Sequence, residues 1–441
     1  MRFFKKWPVR VVLFIMGFLM INAVIEFLFL RINKDSLLVM HDLSTTKNIE
    51  IAFVGSSLSR NHVSNAVIEN HLGWNSFNLS VGTARNATNY AMMRELFKNQ
   101  TPKVIVLVCD PLVDIKYQGR EEPVIVEAGL RSFLHGWDIK LPYIIENCIN
   151  YGGDIDRLFP WRVWFPKDYR DFKANIKAKF DWDSYYDSIL RLFPTHDGKG
   201  FRPEQVGMTT DINKEELFAA MTRKAKPYDS CDESGLEFTL MRMEKLCSSN
   251  NCELIVLATP QLSQVLLGDK RYDQCYKIET EICKKYNIPF WNFAYVEDEL
   301  LPDMTPYFFR DGHFDIEGAE IFSQALGKVL KEHLNGEDVS HYFITAKEYA
   351  DKRDYILNSW YTVSKKNQKI TYTADCIYGS HVKPEYQFTA VDKNGEETQL
   401  QCYYSTSKCT VDAKDMEGKT IRIYARNAED LSQEPILAIK K

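Results

Sequence analysis

A chain of 441 residues is too long for one ordinary domain, so two are expected, with room for a large insertion in one of them. Its 55 Lys and Arg against 60 Asp and Glu leave a net charge of −5, and no basic tract offers a nucleic-acid surface. With 45% hydrophobic and 13% aromatic residues, the chain has enough apolar material to bury a large core.

The N-terminus sets the compartment. Arg2, Lys5, Lys6 and Arg10 precede Val11–Leu30, an apolar run interrupted only by Asn22 and Glu26. Such a run is long enough to cross a hydrocarbon layer of roughly 30 Å as a helix. Basic residues on its N-terminal side predict a cytoplasmic tail over 1–10, a membrane-spanning helix over 11–30 and an extracytoplasmic remainder, which makes a single-pass protein of the cell membrane. A cleaved signal peptide is the rival, but bulky FLFLRIN follows with no small-residue cleavage site. Glu26 is expected to snorkel to the interface, with pairing to a partner helix as the alternative. Residues 31–47 read as a short polar stalk.

Alternation then begins. A strand over Glu50–Val54, a helix near His62–Leu72, a strand near Trp74–Leu79, a helix near Ala87–Lys98 and a strand over Val104–Val108 repeat a β-α-β order. That order predicts an α/β domain built on a doubly wound parallel sheet, spanning 48–335. After Asp110-Pro111 the alternation stops, and the aromatic-rich stretch 117–232 has helical periodicity, as expected of an insertion at the carboxyl edge of the sheet. Its Trp161, Trp164, Phe165, Tyr169, Trp182 and Tyr185 could stack on sugar rings or form a helical mini-core. The sheet pattern resumes with helix Glu233–Cys247, strand Cys252–Thr259, helix Asp269–Tyr286, strand Ile288–Phe293 and helix Ile316–Leu330, for which Asp315 is the N-cap candidate. From 338 to 441 short alternating segments separated by DKNGEE and KDMEGK predict an accessory β-sandwich, either a polymer-contacting module or a structural cap.

Ten cysteines outside a membrane would permit disulfides. Cys402 and Cys409 flank YYSTSK in a hairpin-like segment, and Cys247 and Cys252 flank a helix-to-strand turn. Their spacing has no paired zinc-ligand pattern, so no metal is implied.

Within this frame Ile51–Arg60, IAFVGSSLSR, closes a buried strand with Gly55-Ser56-Ser57 at the carboxyl edge, where α/β folds bind ligands. A serine nucleophile needs a base, a carboxylate to orient it and donors for the oxyanion. RDGHFDIEGAEIF supplies His313, with Asp311 two residues before it, just ahead of the last helix of the domain. Together these residues resemble the SGNH (GDSL-type) hydrolase superfamily: GSSL is similar to its first block, FNLSVG to the second and DGHFDIEGA to the last. The resemblance covers about 48–333 without the insertion and implies an SGNH/flavodoxin-like fold. It also implies Ser57 as nucleophile, His313 as general base, Asp311 as orienting acid, and Gly82 with the Ser57 amide as oxyanion donors. No diffusible cofactor is implied. Two features depart from the pattern: Asp110 stands where the third block has an oxyanion Asn, and the last block reads Asp-x-His, with Arg310 at the usual acid position. The anchored layout resembles the branch containing the teichoic acid D-alanyl transfer and alginate acetylation proteins. That implies O-acyl transfer to, or esterase action on, a cell-surface polysaccharide or teichoic-type polymer, beside a multi-pass membrane-bound O-acyltransferase. The alternative is a non-catalytic, membrane-anchored polysaccharide-binding or scaffolding protein on a degenerate SGNH fold.

Overall fold

The computed structural model describes residues 7–30, 32–110, 112, 115, 124–150, 155–163, 169–203, 223–310 and 312–441. Trp7–Phe29 forms helix α1, whose apolar side chains cover its whole circumference and bury none of themselves fully against the protein. A helix apolar all round has no polar face to present to water.

Residues 34–45 do not form a loose stalk. They make helix α2 (Lys34–Thr45), capped by Asn33 and packed into the domain through Leu37, Leu38, Val39 and Met40. Asp42, within this segment, is buried in a polar partnership. Asp42 accepts hydrogen bonds from the Tyr186 hydroxyl and from His196, each at 2.6 Å.

The α/β domain follows with β1 (Ile51–Gly55), α3 (Ser57–His62), α4 (Asn65–Leu72), β2 (Ser76–Asn78), α5 (Asn86–Asn99) and β3 (Val104–Cys109). The single helix expected near His62–Leu72 is broken at Val63-Ser64, where Asn78 Nδ2 donates to the carbonyls of Ser59 and Val63 and the Ser64 amide donates to Ser323 Oγ. After the insertion come α11 (Ser234–Ser248), β4 (Glu253–Ala258), α12 (Ser263–Gly268), α13 (Arg271–Lys285), β5 (Phe290–Asn292), β6 (Phe308–Arg310), β7 (His313–Phe314) and α14 (Ile316–Leu334). Inside the insertion lie α6 (Val124–Arg131), α7 (Trp137–Asn150), α8 (Ile155–Leu158), a 3₁₀ turn (Pro160–Val163), α9 (Tyr169–Phe180) and α10 (Trp182–Leu190).

Strands β1 to β5 form one parallel sheet in the order β2-β1-β3-β4-β5. Alternate residues of each central strand enter opposite cores: Ala52, Val54, Ile105, Leu107 and Val256 on one face, Ile51, Phe53, Val104, Val106 and Leu257 on the other. Burial on both faces explains why these strands read as unbroken apolar runs. The order reverses direction between β1 and β3, so the crevice for a ligand opens at the carboxyl ends of those strands, immediately after Gly55 and Cys109.

The C-terminal region is a sandwich of two four-stranded sheets closed over Phe388, Cys376, Ile423 and Ala425. Cys402 lies on strand Glu397–Tyr404 of one sheet and Cys409 on strand Lys408–Asp412 of the other, so the hairpin reading of that pair is corrected. All ten cysteines carry free thiols. Cys247 and Cys252 remain neighbours across the turn into β4: the Cys252 amide donates to the Cys247 carbonyl at 3.0 Å, and a thiol–thiol hydrogen bond pushes the Cys247 thiol well up.

The insertion grips the C-terminal half of α1. Arg131 Nη2 pairs with Glu26 at 2.9 Å, with both side chains about nine-tenths buried, so Glu26 does not snorkel but meets a cation from its own chain. Asn175 Nδ2 donates to the Leu30 carbonyl at 2.9 Å, and Lys179 Nζ donates to the carbonyls of Phe27 and Leu30. These donors satisfy carbonyls that a helix end leaves without intrahelical partners.

Candidate active site

Gly55 ends β1 at a point where no larger residue fits: a Cβ there would lie 2.8 Å from the Val108 carbonyl oxygen on β3 and 3.0 Å from Ser59 Cβ. The chain then turns sharply into α3. Ser56 is its N-cap, accepting from the Leu58 amide at 3.4 Å, which leaves Ser57 as the first helical residue at the carboxyl edge of the sheet. Ser57 Oγ lies 2.8 Å from His313 Nε2, across 256 residues of sequence. Hydrogen-bond contact between a hydroxyl and an imidazole nitrogen is the geometry a general base needs.

His313 sits in the short β6–β7 hairpin, which returns to the sheet edge just before α14. Asp315 does not orient it. Its carboxylate caps α14 by accepting from the Gly318 amide at 2.9 Å. Asp311, the expected orienting acid, lies outside the described residues, and Arg310 is described through its backbone pairing with His313.

A second histidine that sequence reading did not select supports this hairpin. His62, the last residue of α3, is completely buried, and its Nε2 accepts the Phe314 amide at 3.2 Å. Its ring stacks on Phe314 at 4.1 Å and stands edge-on to His313 at 6.1 Å. Burial, and then the neighbouring His313, hold His62 well below the usual histidine range, outweighing the Gly312 backbone carbonyl that favours a proton. His62 is therefore neutral, as its role as acceptor requires.

The second block reaches the serine through backbone pairing. The Leu79 amide donates to Phe53 O at 2.7 Å and the Val81 amide to Gly55 O at 3.3 Å, which carries Gly82 alongside the Ser56-Ser57 turn. Gly82 is packed against an ion cluster: a Cβ there would lie 2.8 Å from Arg60 Nη1 and 2.8 Å from Asp35 Oδ2. Asp35, from α2, pairs with Arg60 and with Arg202 Nη2, the latter at 2.6 Å. Burial would raise the Asp35 carboxyl, but the two guanidinium groups outweigh it and hold it at about 2. Asp35 and Arg60 thus couple the segment after α1 to the helix that presents Ser57.

On the other side of the turn, Ser56, Asn86, Asn89 and Asp110 line one small cleft, with Cys109 and buried Glu279 at its floor. Cys109 Sγ donates to Glu279 Oε2 at 3.3 Å. Asn86 and Asn89, three residues apart at the start of α5, line the same cleft as Asp110. Their i, i+3 spacing at a helix start was visible in NATN, but nothing in sequence tied it to Ser57.

Two aromatic candidates of the insertion, Trp161 and Trp182, have structural partners. Trp161 Nε1 donates to Asn22 Oδ1 of α1 at 2.9 Å, and Trp182 packs against Phe133 at 5.2 Å in a cluster with Ile32, Leu37, Leu38 and Ile189. Tyr169 begins α9, and Trp164 lies outside the described residues. Among the described residues no group of three or more His, Cys, Asp or Glu is placed to hold a metal ion.

The sequence matches no family model and no curated protein. Among solved structures, the chain is similar to a protein described as a candidate acylhydrolase from Bacteroides fragilis, with 10% identity, 67% of this chain and 95% of that one covered, and a TM-score of 0.31. It is likewise similar to a GDSL-like lipase from Bacteroides thetaiotaomicron, with 11% identity, 66% and 95% coverage and a TM-score of 0.31.

Proposed function

We propose that this protein is a serine-dependent O-acyl esterase or O-acyltransferase that works through an acyl-enzyme on Ser57, held at the membrane by α1 with its catalytic domain outside the cytoplasm. The observation that carries this reading is the 2.8 Å contact between Ser57 Oγ and His313 Nε2 at the carboxyl edge of the sheet.

His313 takes the hydroxyl proton as Ser57 Oγ attacks an ester carbonyl. The resulting oxyanion is met by the amides of Ser57 and Gly82, with the Asn86 and Asn89 side chains as further donors. Collapse of the adduct expels the alcohol, which recovers the proton from His313, and leaves the acyl group on Ser57. A second hydroxyl then attacks with His313 again as base. Water gives hydrolysis, and a carbohydrate hydroxyl gives transfer. A cell-surface polysaccharide or teichoic-type polymer is the acceptor class in this reading, with an integral-membrane O-acyltransferase as the donor-side partner.

The test is labelling of the full-length protein with a serine-directed fluorophosphonate. Wild type and Ser56→Ala should become labelled, and Ser57→Ala should not. Labelling that persists in Ser57→Ala removes Ser57 as the nucleophile.

A further inference from the structure

The way the insertion holds α1 constrains where the insertion can be. Helix α1 has 23 residues, which at 1.5 Å per residue is about 34 Å, just enough for a hydrocarbon layer of about 30 Å. Arg10 lies in its first turn, with Lys5 and Lys6 before it, so the apolar length begins at Val11 and cannot be extended in that direction. Yet the insertion touches α1 far from its C-terminal end. Phe159 packs edge-on against Phe18 at 5.9 Å, and Trp161 donates to Asn22. If the insertion stayed wholly in water, only Val11–Gly17 would remain for the bilayer, about 10 Å and about a third of what is needed.

The surface of the insertion suits an apolar medium. Along α7, Trp137, Leu141, Ile145 and Ile149 are 71%, 47%, 46% and 69% exposed, while Ile139, Tyr143 and Ile144 on the other side are buried. The exposed residues recur every four positions and form one stripe. The first turn of α7 carries Lys140, whose charge interacts with that of Glu26. Its later turns share a small cavity with Arg131, Arg157 and Pro160, next to the turn that carries Trp161. Phe180, at the end of α9, is 76% exposed and stacks edge-on against Phe27 of α1, so the apolar surface of α1 continues onto the insertion. The one strongly polar group of α1 at this depth, Glu26, is neutralised by Arg131, as a carboxylate in hydrocarbon requires.

We propose that the helical insertion is seated in the lipid leaflet on the α/β-domain side of α1, with the Trp137–Ile149 stripe of α7 against acyl chains. This rests on α1 spanning the bilayer and extends it: the protein is held by an immersed module as well as by a single helix. The depth of α7 follows from the cavity it shares with Pro160, beside the Trp161 that meets Asn22, and the occupant is lipid because Phe159 and Trp161 meet α1 at the level of the bilayer core.

The experiment uses the full-length protein in phosphatidylcholine/phosphatidylglycerol vesicles with or without brominated acyl chains, which quench nearby tryptophan. Ile149→Trp and Leu141→Trp place a new indole on the stripe, and Leu431→Trp places one on an exposed turn of the β-sandwich. The emission added by either stripe variant should be largely lost in brominated vesicles, and that added by Leu431→Trp should be retained. Retention of the added emission in both stripe variants, with the protein still resistant to alkaline carbonate extraction, overturns the immersed insertion alone. Release of the wild-type protein by carbonate overturns the spanning role of α1 and the insertion proposal with it.

Discussion

The sharpest expected effect concerns His62, which touches neither Ser57 nor any candidate oxyanion donor yet holds the segment bearing His313. Replacing it by Phe keeps the ring that stacks on Phe314 but removes the acceptor for the Phe314 amide. A buried N–H left without a partner costs about 1–3 kcal/mol, and Phe314 is fully buried, so a loss of stability of about 2 kcal/mol is expected. The hairpin is also freed to shift His313, so fluorophosphonate labelling of Ser57 should slow by about tenfold or more, a misplacement penalty typical of catalytic groups. His62→Gln, whose amide oxygen can accept and whose amide nitrogen can donate, should recover much of the labelling rate. The pH dependence supplies a further signature. Because the folded-state pKa of His62 is depressed, the unfolded chain binds the extra proton. The contribution of His62 to stability is therefore complete above about 6.5 and is lost as pH falls below that value toward the folded-state pKa. His62→Phe should flatten this acidic decline in urea unfolding. Equal labelling rates in wild type and His62→Phe, measured where both are folded, would refute a positioning role and leave His62 as packing alone.

Other outcomes follow from the same geometry. Gly55→Ala forces a Cβ to within 2.8 Å of the Val108 carbonyl, and urea unfolding should show a loss of about 1–3 kcal/mol, with β1 and β3 pushed apart. Asp35→Asn removes a carboxylate held at about 2, against 3.8 when free. At neutral pH it should cost on the order of 2 kcal/mol, and the difference from wild type should vanish as pH falls from about 4 through 2. Ser56→Ala removes the N-cap of α3 and should lower stability by about 1 kcal/mol while leaving Ser57 reactive. A variant that keeps its stability but loses labelling would instead place the Ser56 hydroxyl in the reaction.

Much of the α/β domain is legible in the amino-acid sequence because its signals are local. Short apolar runs such as Val104–Cys109, rich in β-branched residues and alternating with helical segments, read as strands buried on both faces, and Gly55 marks the turn at which the serine emerges. Ser57 and His313, which the fold brings within 2.8 Å, each stand just past an element end at the same edge of the sheet inferred from sequence. What escaped were residues whose importance depends on a distant partner. Asp35 and Asp42 look like solvated linker charges until Arg60, Arg202 and His196 are brought to them. His62 looks like one more polar residue on a short helix until a hairpin 250 residues later needs an acceptor. Glu26 invites a snorkelling reading because it stands near the outer end of the apolar run, and Arg131 reaches it only through the folding of the insertion. The aromatic stretch was ambiguous for the same reason: an indole that packs on a helix and one that awaits a ligand have the same sequence.

Helix α2 has a consequence for reach. Seventeen flexible residues between anchor and enzyme would wander over about 20–25 Å, allowing the serine to sample acceptors at many heights above the bilayer. Here that segment is folded, and Asp35 clasps Arg60 three residues beyond the nucleophile. On the proposed reading, with α1 in the membrane and Ser57 as the nucleophile, the site works at one fixed elevation, and the acceptor hydroxyl has to be delivered to it. Inserting residues between 31 and 45 should accordingly behave as an injury to the active site rather than as a longer leash.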